Sequence, residues 1–224
     1  MFESGSEFSF FHTLVQGGWV MVPLAACSLL SVAVIVERLM WGPKRSRVIP
    51  ESLQKDAYHL LTTQRTDELL GLLRANDSPL ARILLTGIRN AHRPRAEIIE
   101  SMETVGKKEA FDLQRNLGVL GTIAAVGPLL GLLGTVFGMI STFHVISAHG
   151  TGNPGLMAGG IAEALITTAT GLTVAIPSLL FYRYFLQQAR RLIVEMEAIS
   201  MSLIDELREP ESAPVREPLK GRSL

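Results

Sequence analysis

Cysteine is nearly absent from the 224-residue chain: Cys27 stands alone. A lone cysteine closes no internal disulfide, and without a CxxC or Cys/His cluster there is no structural zinc site to build. Charge is scarce too. Charged residues make up 19% of the chain, against about 25% in ordinary soluble domains. The 21 basic and 21 acidic residues cancel, which argues against a nucleic-acid binder working through overall electrostatics. The local gaps say more. No Lys or Arg precedes Arg38, and none lies between Arg115 and Arg183, while hydrophobic residues reach 47%. Long apolar stretches between two basic blocks define an integral membrane protein.

Crossing about 30 Å of hydrocarbon takes roughly 20 apolar helical residues. The first such stretch is 18–39, inside a segment without Asp, Glu, Lys or Arg from Phe8 to Val36. A second uncharged segment, Asn116 to Ala162, holds a full span and a loop, the latter marked by His149-Gly150-Thr151-Gly152-Asn153-Pro154-Gly155. The reading is therefore a span at 117–146, a loop at 147–156 and a third span at 157–182. Fourteen of the 21 Lys/Arg fall in 38–115 and the other seven in 183–224. Basic residues beside spans stay cytoplasmic. An odd number of spans puts both basic blocks on that side and both non-basic segments opposite. Segment 1–17 is thus expected on the outer side of the membrane and the C-terminus on the cytoplasmic side. Leu24-Ala25-Ala26-Cys27 imitates a lipidation site, but the residues before it carry Glu3 and Glu7 and no base, so lipidation is not expected.

The block 40–116 reads as a helical cytoplasmic loop. Thr66-Asp67-Glu68 looks like an N-cap followed by first-turn acids, and Ser78-Pro79 repeats the start signal. From Pro94 the apolar pattern Ile98, Met102, Val105, Ala110, Leu113, Leu117 runs into the second span. That predicts one helix over 94–146, about 80 Å long. The third span is expected to continue as a cytoplasmic helix over 183–209, with a disordered tail at 210–224. Arg183, Arg190 and Arg191 read as interface anchors.

The fold class is thus an all-α membrane protein with three spans, N-terminus out, and long helices entering the cytoplasm. Within the second span Gly127, Gly131, Gly134 and Gly138 fall at i, i+4, i+7 and i+11, on one face. Such a stripe lets a neighbouring helix approach closely; a helix of the same subunit and one of another are both open as that neighbour. Glu163 is the sharpest residue, a carboxylate within a span, where it costs several kcal/mol and normally faces a cavity or the bundle interior. Thr167 and Thr170 share its face and Thr168 lies beside it. With Thr135 in the second span they suggest a hydrated path. Pro128 and Pro177 each remove a helical hydrogen bond, giving either static shape or a hinge.

Taken together, Gly131-Leu132-Leu133-Gly134-Thr135-Val136-Phe137-Gly138, then Gly160-Ile161-Ala162-Glu163-Ala164-Leu165-Ile166-Thr167-Thr168-Ala169, Gly171-Leu172 and Ala175-Ile176-Pro177 resemble the ExbB/TolQ/MotA family of proton-channel stator subunits. The three-span, N-out topology extends the likeness to ExbB first and TolQ second, rather than to MotA with its four spans. The resemblance implies a homopentamer in the bacterial inner membrane around a dimer of a single-span, ExbD-like protein. It implies protons as the coupling ion and a TonB-like transducer, or TolR/TolA-like partners on the other branch. It also implies that Thr135, Glu163 and Thr168 line the pore and that Pro128 and Pro177 are the family's membrane prolines. No cofactor, metal or nucleic acid is expected. A passive scaffold is the competing class. An enzyme is disfavoured, because the five histidines include no pair at i+3 or i+4 and no nucleophile or phosphate-loop motif occurs.

Overall fold

The computed structural model describes residues 18–149 and 154–208. The expectations for the N-terminal segment 1–17 and the tail 210–224 lie outside the described residues, as does the centre of the 147–156 loop. Every element among the described residues is helical: α1 Met21–Trp41, α2 Arg45–Val48, α3 Glu51–Thr62, α4 Thr66–Ala75, α5 Pro79–Arg89, α6 Arg95–Gln114, α7 Leu117–His149 and α8 Pro154–Arg208. Three of them, α1, α7 and α8, are long and apolar enough to cross a membrane. The chain divides into two compact units, one from 18–42 and 114–187, the other from 43–113 and 188–208.

The first unit holds the apolar helices. Their outward faces carry Val22, Leu29, Leu129, Leu132, Leu165 and Leu180, all exposed, as suits surfaces meant for lipid. Lipid tails give such helices no hydrophobic drive to associate, so contact depends on small residues and on interhelical hydrogen bonds. Both are present. Ser31 of α1 and Ser178 of α8 share a buried hydrogen bond of 2.6 Å. Val20, Met21 and Leu24 bury the start of α1 against Leu130. Near its other end Val34 joins Leu117, Leu120 and Phe185 in a second cluster.

The helix expected over 94–146 is not one helix. It breaks at Arg115–Asn116, where Asn116 takes a left-handed backbone, φ 64. Asparagine is among the few non-glycine residues that visit this region readily. The break is fastened locally: the Asn116 amide donates to both oxygens of Glu37 at 3.1 and 3.2 Å, and Arg38 donates to the Arg115 carbonyl. Prolines 128 and 177, by contrast, lie inside unbroken helices.

The second unit is a water-type core. Its amphipathic helices α4, α5 and α6 bury Leu69, Leu73, Leu80, Leu84 and Ile98 with Met196 and Ile204 of α8. Fully burying each of these side chains contributes about 1.5–3 kcal/mol. Ser78 caps α5, its hydroxyl accepting from the Ala81 amide at 3.3 Å with Pro79 in the first turn. Thr66 is not a cap: the chain reverses through Gln64 at φ 57, and the helix already includes Thr66. Among the described residues of this unit one carboxylate is buried, Glu109. Arg82 grips both its oxygens, each at 2.7 Å. Those hydrogen bonds hold the Arg82 guanidinium above its ordinary pKa.

Candidate functional site

The glycine stripe has its neighbour within the chain. All four glycines are buried, and each stands against α8. A methyl group placed on Gly127 would meet Ala175 Cβ at 3.1 Å and the Gly171 carbonyl at 3.2 Å. On Gly131 it would meet Thr168 Cα at 3.0 Å, and on Gly138 the Gly160 carbonyl at 2.7 Å and Ala164 Cβ at 2.8 Å. On Gly134 it would collide with the Thr167 side chain. Of the two neighbours left open by the sequence, the stripe therefore serves α8 of the same subunit. It fixes α7 and α8 as a pair at backbone-contact distance.

That pairing sorts the polar residues of α8. Ala164, Thr167, Gly171, Ala175 and Ser178 form the buried face. Thr167 lies inside it, 0% exposed, with its hydroxyl donating back to the Ala164 and Glu163 carbonyls at 2.9 and 3.1 Å. At about 100° per residue, Glu163 and Thr168 are roughly 140° apart and flank this face on opposite sides. Thr168 is half-buried and donates across to the Gly131 carbonyl at 3.0 Å. Thr135 is one turn beyond Gly131, on the same flank as Thr168, and back-bonds to Leu132 at 2.6 Å. The structure thus brings Thr135 and Thr168 to one side of the α7–α8 pair and Glu163 to the other, with Thr167 between the helices.

Glu163 is half-buried and faces the start of α1, its carboxylate against Gly18. Trp19 meets Phe137 edge-on beside it, ring centroids 5.2 Å apart. Pro128 and Pro177 sit next to contact points: Pro128 follows Gly127, and Pro177 precedes Ser178, whose hydroxyl also reaches the Val174 carbonyl at 2.6 Å. Three contacts were not anticipated from the sequence. For Gly18 the signal was a glycine just before an apolar run. For Asn116 it was an asparagine closing a charged, helical stretch. The Ser31–Ser178 pair had only two isolated serines in apolar spans to announce it. Among the described residues no group of His, Cys, Asp or Glu is arranged to hold a metal.

Thr135 donates to its own helix and Thr168 to the neighbouring one, and each hydroxyl oxygen keeps lone pairs free. The single path expected from Glu163 and the threonines is not formed within one copy of the chain, because the closed α7–α8 contact separates the carboxylate from Thr135 and Thr168. Three apolar helices make the chain a multi-pass membrane protein. Comparison with known proteins agrees. Residues 75–198 match the model of the MotA/TolQ/ExbB proton channel family. An ExbB-like biopolymer transport protein of Synechocystis sp. is 37% identical over 174 residues, 76% of this chain and 82% of that protein. An ExbB homolog of Methanothermobacter thermautotrophicus is 32% identical over 180 residues, 79% of this chain and 64% of the relative. Biopolymer transport protein ExbB of Aquifex aeolicus is 35% identical over 116 residues, 52% of this chain and 78% of that protein. The chain belongs to the MotA/TolQ/ExbB proton channel family, and these relatives all carry ExbB names.

Proposed function

We propose that the chain is an ExbB-like proton-channel subunit that couples the proton motive force to biopolymer transport across a bacterial envelope. The observation that carries this reading is Glu163: a carboxylate retained within a span, beside an α7–α8 pair whose open flank bears Thr135 and Thr168. A charge in that setting is expensive and is kept for an ion pathway. Protons are the coupling ion, because one carboxylate with a few hydroxyls offers a proton relay but too few oxygens to strip the hydration shell from Na⁺. The protein makes and breaks no covalent bonds of a substrate.

In this reading the chain sits in the inner membrane with segment 1–17 periplasmic and the C-terminus cytoplasmic, on the distribution of basic residues. Five copies ring a dimer of a single-span, ExbD-like protein, and a TonB-like transducer receives the work. Thr135 and Thr168 line the proton path, and Pro128 and Pro177 act as hinges in its walls. The ExbB names of the relatives favour the TonB branch over the TolQ one.

Glu163→Ala tests the reading in cells. Energy-dependent uptake should be lost while the complex still assembles, and uptake in the wild type should collapse with a protonophore. Normal uptake from a well-expressed Glu163→Ala protein sinks it. Native mass spectrometry on gently extracted complex should give a 5:2 assembly with a single-span partner; a lone oligomer whose function ignores the protonophore would leave a passive scaffold.

A further inference from the structure

Gly18 lies immediately before α1 with a left-handed backbone, φ +66. The carboxylate of Glu163 rests against its Cα, with Oε1 occupying the volume that a Cβ on residue 18 would need. Both backbones are pinned at this point. On one side the Trp19–Phe137 ring contact and the burial of Val20, Met21 and Leu24 against Leu130 keep the start of α1 from backing away. On the other, Ala164 is buried beside Gly138, where an added methyl would already lie 2.8 Å from its Cβ. That close approach keeps the α8 backbone from retreating. Only the Glu163 side chain is free to yield.

We propose that Gly18 is a positioning residue for the Glu163 carboxylate. Its missing side chain makes the slot that holds the carboxylate at the entrance of α1, so the start of α1 decides where Glu163 takes up and gives away its proton. The proposal rests on the reading of Glu163 as a proton carrier and adds α1 to the machinery. Gly18 and α1 lie outside residues 75–198, the segment the family model matches. A glycine is required here twice over, for the left-handed backbone and for the space. The two requirements are separable, because asparagine tolerates a left-handed backbone far better than alanine does but still brings a Cβ.

The experiment compares Gly18→Ala, Gly18→Asn and Glu163→Ala in the full chain, expressed in its host with its natural partners. Two quantities are read: energy-dependent uptake, and the rate at which dicyclohexylcarbodiimide, an apolar carboxyl reagent, labels Glu163 in native membranes at fixed pH. The atom in the way is the far end of a flexible side chain, so both glycine variants should fold and reach the membrane at wild-type levels. Displacing a reacting group by about 1 Å costs on the order of tenfold or more in rate. Uptake should fall by at least that much in both glycine variants, and labelling of Glu163 should rise several-fold as the carboxylate leaves its slot. Loss of uptake in Gly18→Ala but not in Gly18→Asn assigns the effect to backbone strain and overturns the proposal. Wild-type labelling and uptake in both glycine variants, with Glu163→Ala inactive, also overturns it and leaves the function of Glu163 standing. Wild-type uptake in Glu163→Ala removes the functional reading, and the proposal with it.

Discussion

Thr168 reaches out of α8 to the Gly131 carbonyl of α7, 3.0 Å away. This is a side-chain hydrogen bond between two helices that already touch through backbone. Its donor serves the helix pair, while the oxygen lone pairs remain available to whatever passes along the open flank. Thr168→Ser keeps that oxygen, and Thr168→Val removes it at similar shape. Interhelical hydrogen bonds within membranes are worth about 0.6 kcal/mol on average. Thr168→Val should therefore leave thermal stability in detergent nearly unchanged and still lower proton-driven uptake strongly, whereas Thr168→Ser keeps most of it. Equal uptake by the valine and serine variants would show that the hydroxyl only packs.

The glycine stripe makes a prediction of the opposite kind, about stability rather than flux. A methyl on Gly138 meets the Gly160 carbonyl and Ala164 Cβ below 3 Å, and backbone atoms cannot swing aside. Overpacking of this sort costs typically about 1–3 kcal/mol. Gly138→Ala should lower the melting temperature of the extracted protein. Gly159→Ala serves as the control, since a methyl there has nothing within 4 Å. Comparable losses from the two variants would mean that the stripe does not hold α7 to α8.

Charge-free apolar length exposed the three spans, and residue spacing the stripe, because both are properties of one segment read alone. The partner of the stripe was illegible for the same reason: four glycines at i, i+4, i+7 and i+11 define a face without saying what covers it. The helix over 94–146 failed at Asn116. No proline or glycine marks the break, and what stabilises it is Glu37, almost eighty residues earlier. Glu163 stood out as a charge among apolar residues, but its contact with Gly18 depends on how α1 returns to α8, which no local pattern encodes. The threonines show the limit best. Thr167 and Thr168 are adjacent and chemically identical, yet one is sealed between helices and the other bonds across them. A rotation of 100° per residue becomes meaningful only when the buried face is known.

Ser200 carries a small but sharp prediction. Its hydroxyl is buried and has no hydrogen-bond partner among the described residues, in a second-unit helix lined by Met196 and Ile193. A buried hydroxyl without a partner loses its hydration for nothing in return. Ser200→Ala should therefore be neutral or stabilise the second unit by about 0.5–1 kcal/mol, read as a small rise in melting temperature. A loss of 1 kcal/mol or more would reveal a bond that the hydroxyl makes in the assembled protein.

Arg82 and Glu109 form an ion pair whose carboxylate is buried and which is therefore costly to disturb. The Glu109 side chain is only 4% exposed, the Arg82 side chain 42%, and the arginine is shared with Asp77 at 2.8 Å. Removing the arginine strands a buried carboxylate. Breaking a fully buried pair costs about 3–5 kcal/mol; with Arg82 partly in water, Arg82→Ala should cost nearer 2–3 kcal/mol. Taking away both charges in favour of apolar side chains, Arg82→Met with Glu109→Leu, should recover most of that loss, because the desolvation penalty disappears along with the attraction. The sign of the pH dependence follows from the raised guanidinium pKa. A raised base contributes stability that is fully present below its unfolded value and fades only as pH climbs through the folded one. For Arg82 that window lies far above physiological pH, so its own titration leaves the pair intact throughout the working range. Urea unfolding of the full chain in detergent, followed by a reporter in the second unit, gives the three stabilities. A double variant no more stable than Arg82→Ala alone would show that the loss does not come from the stranded Glu109 carboxylate.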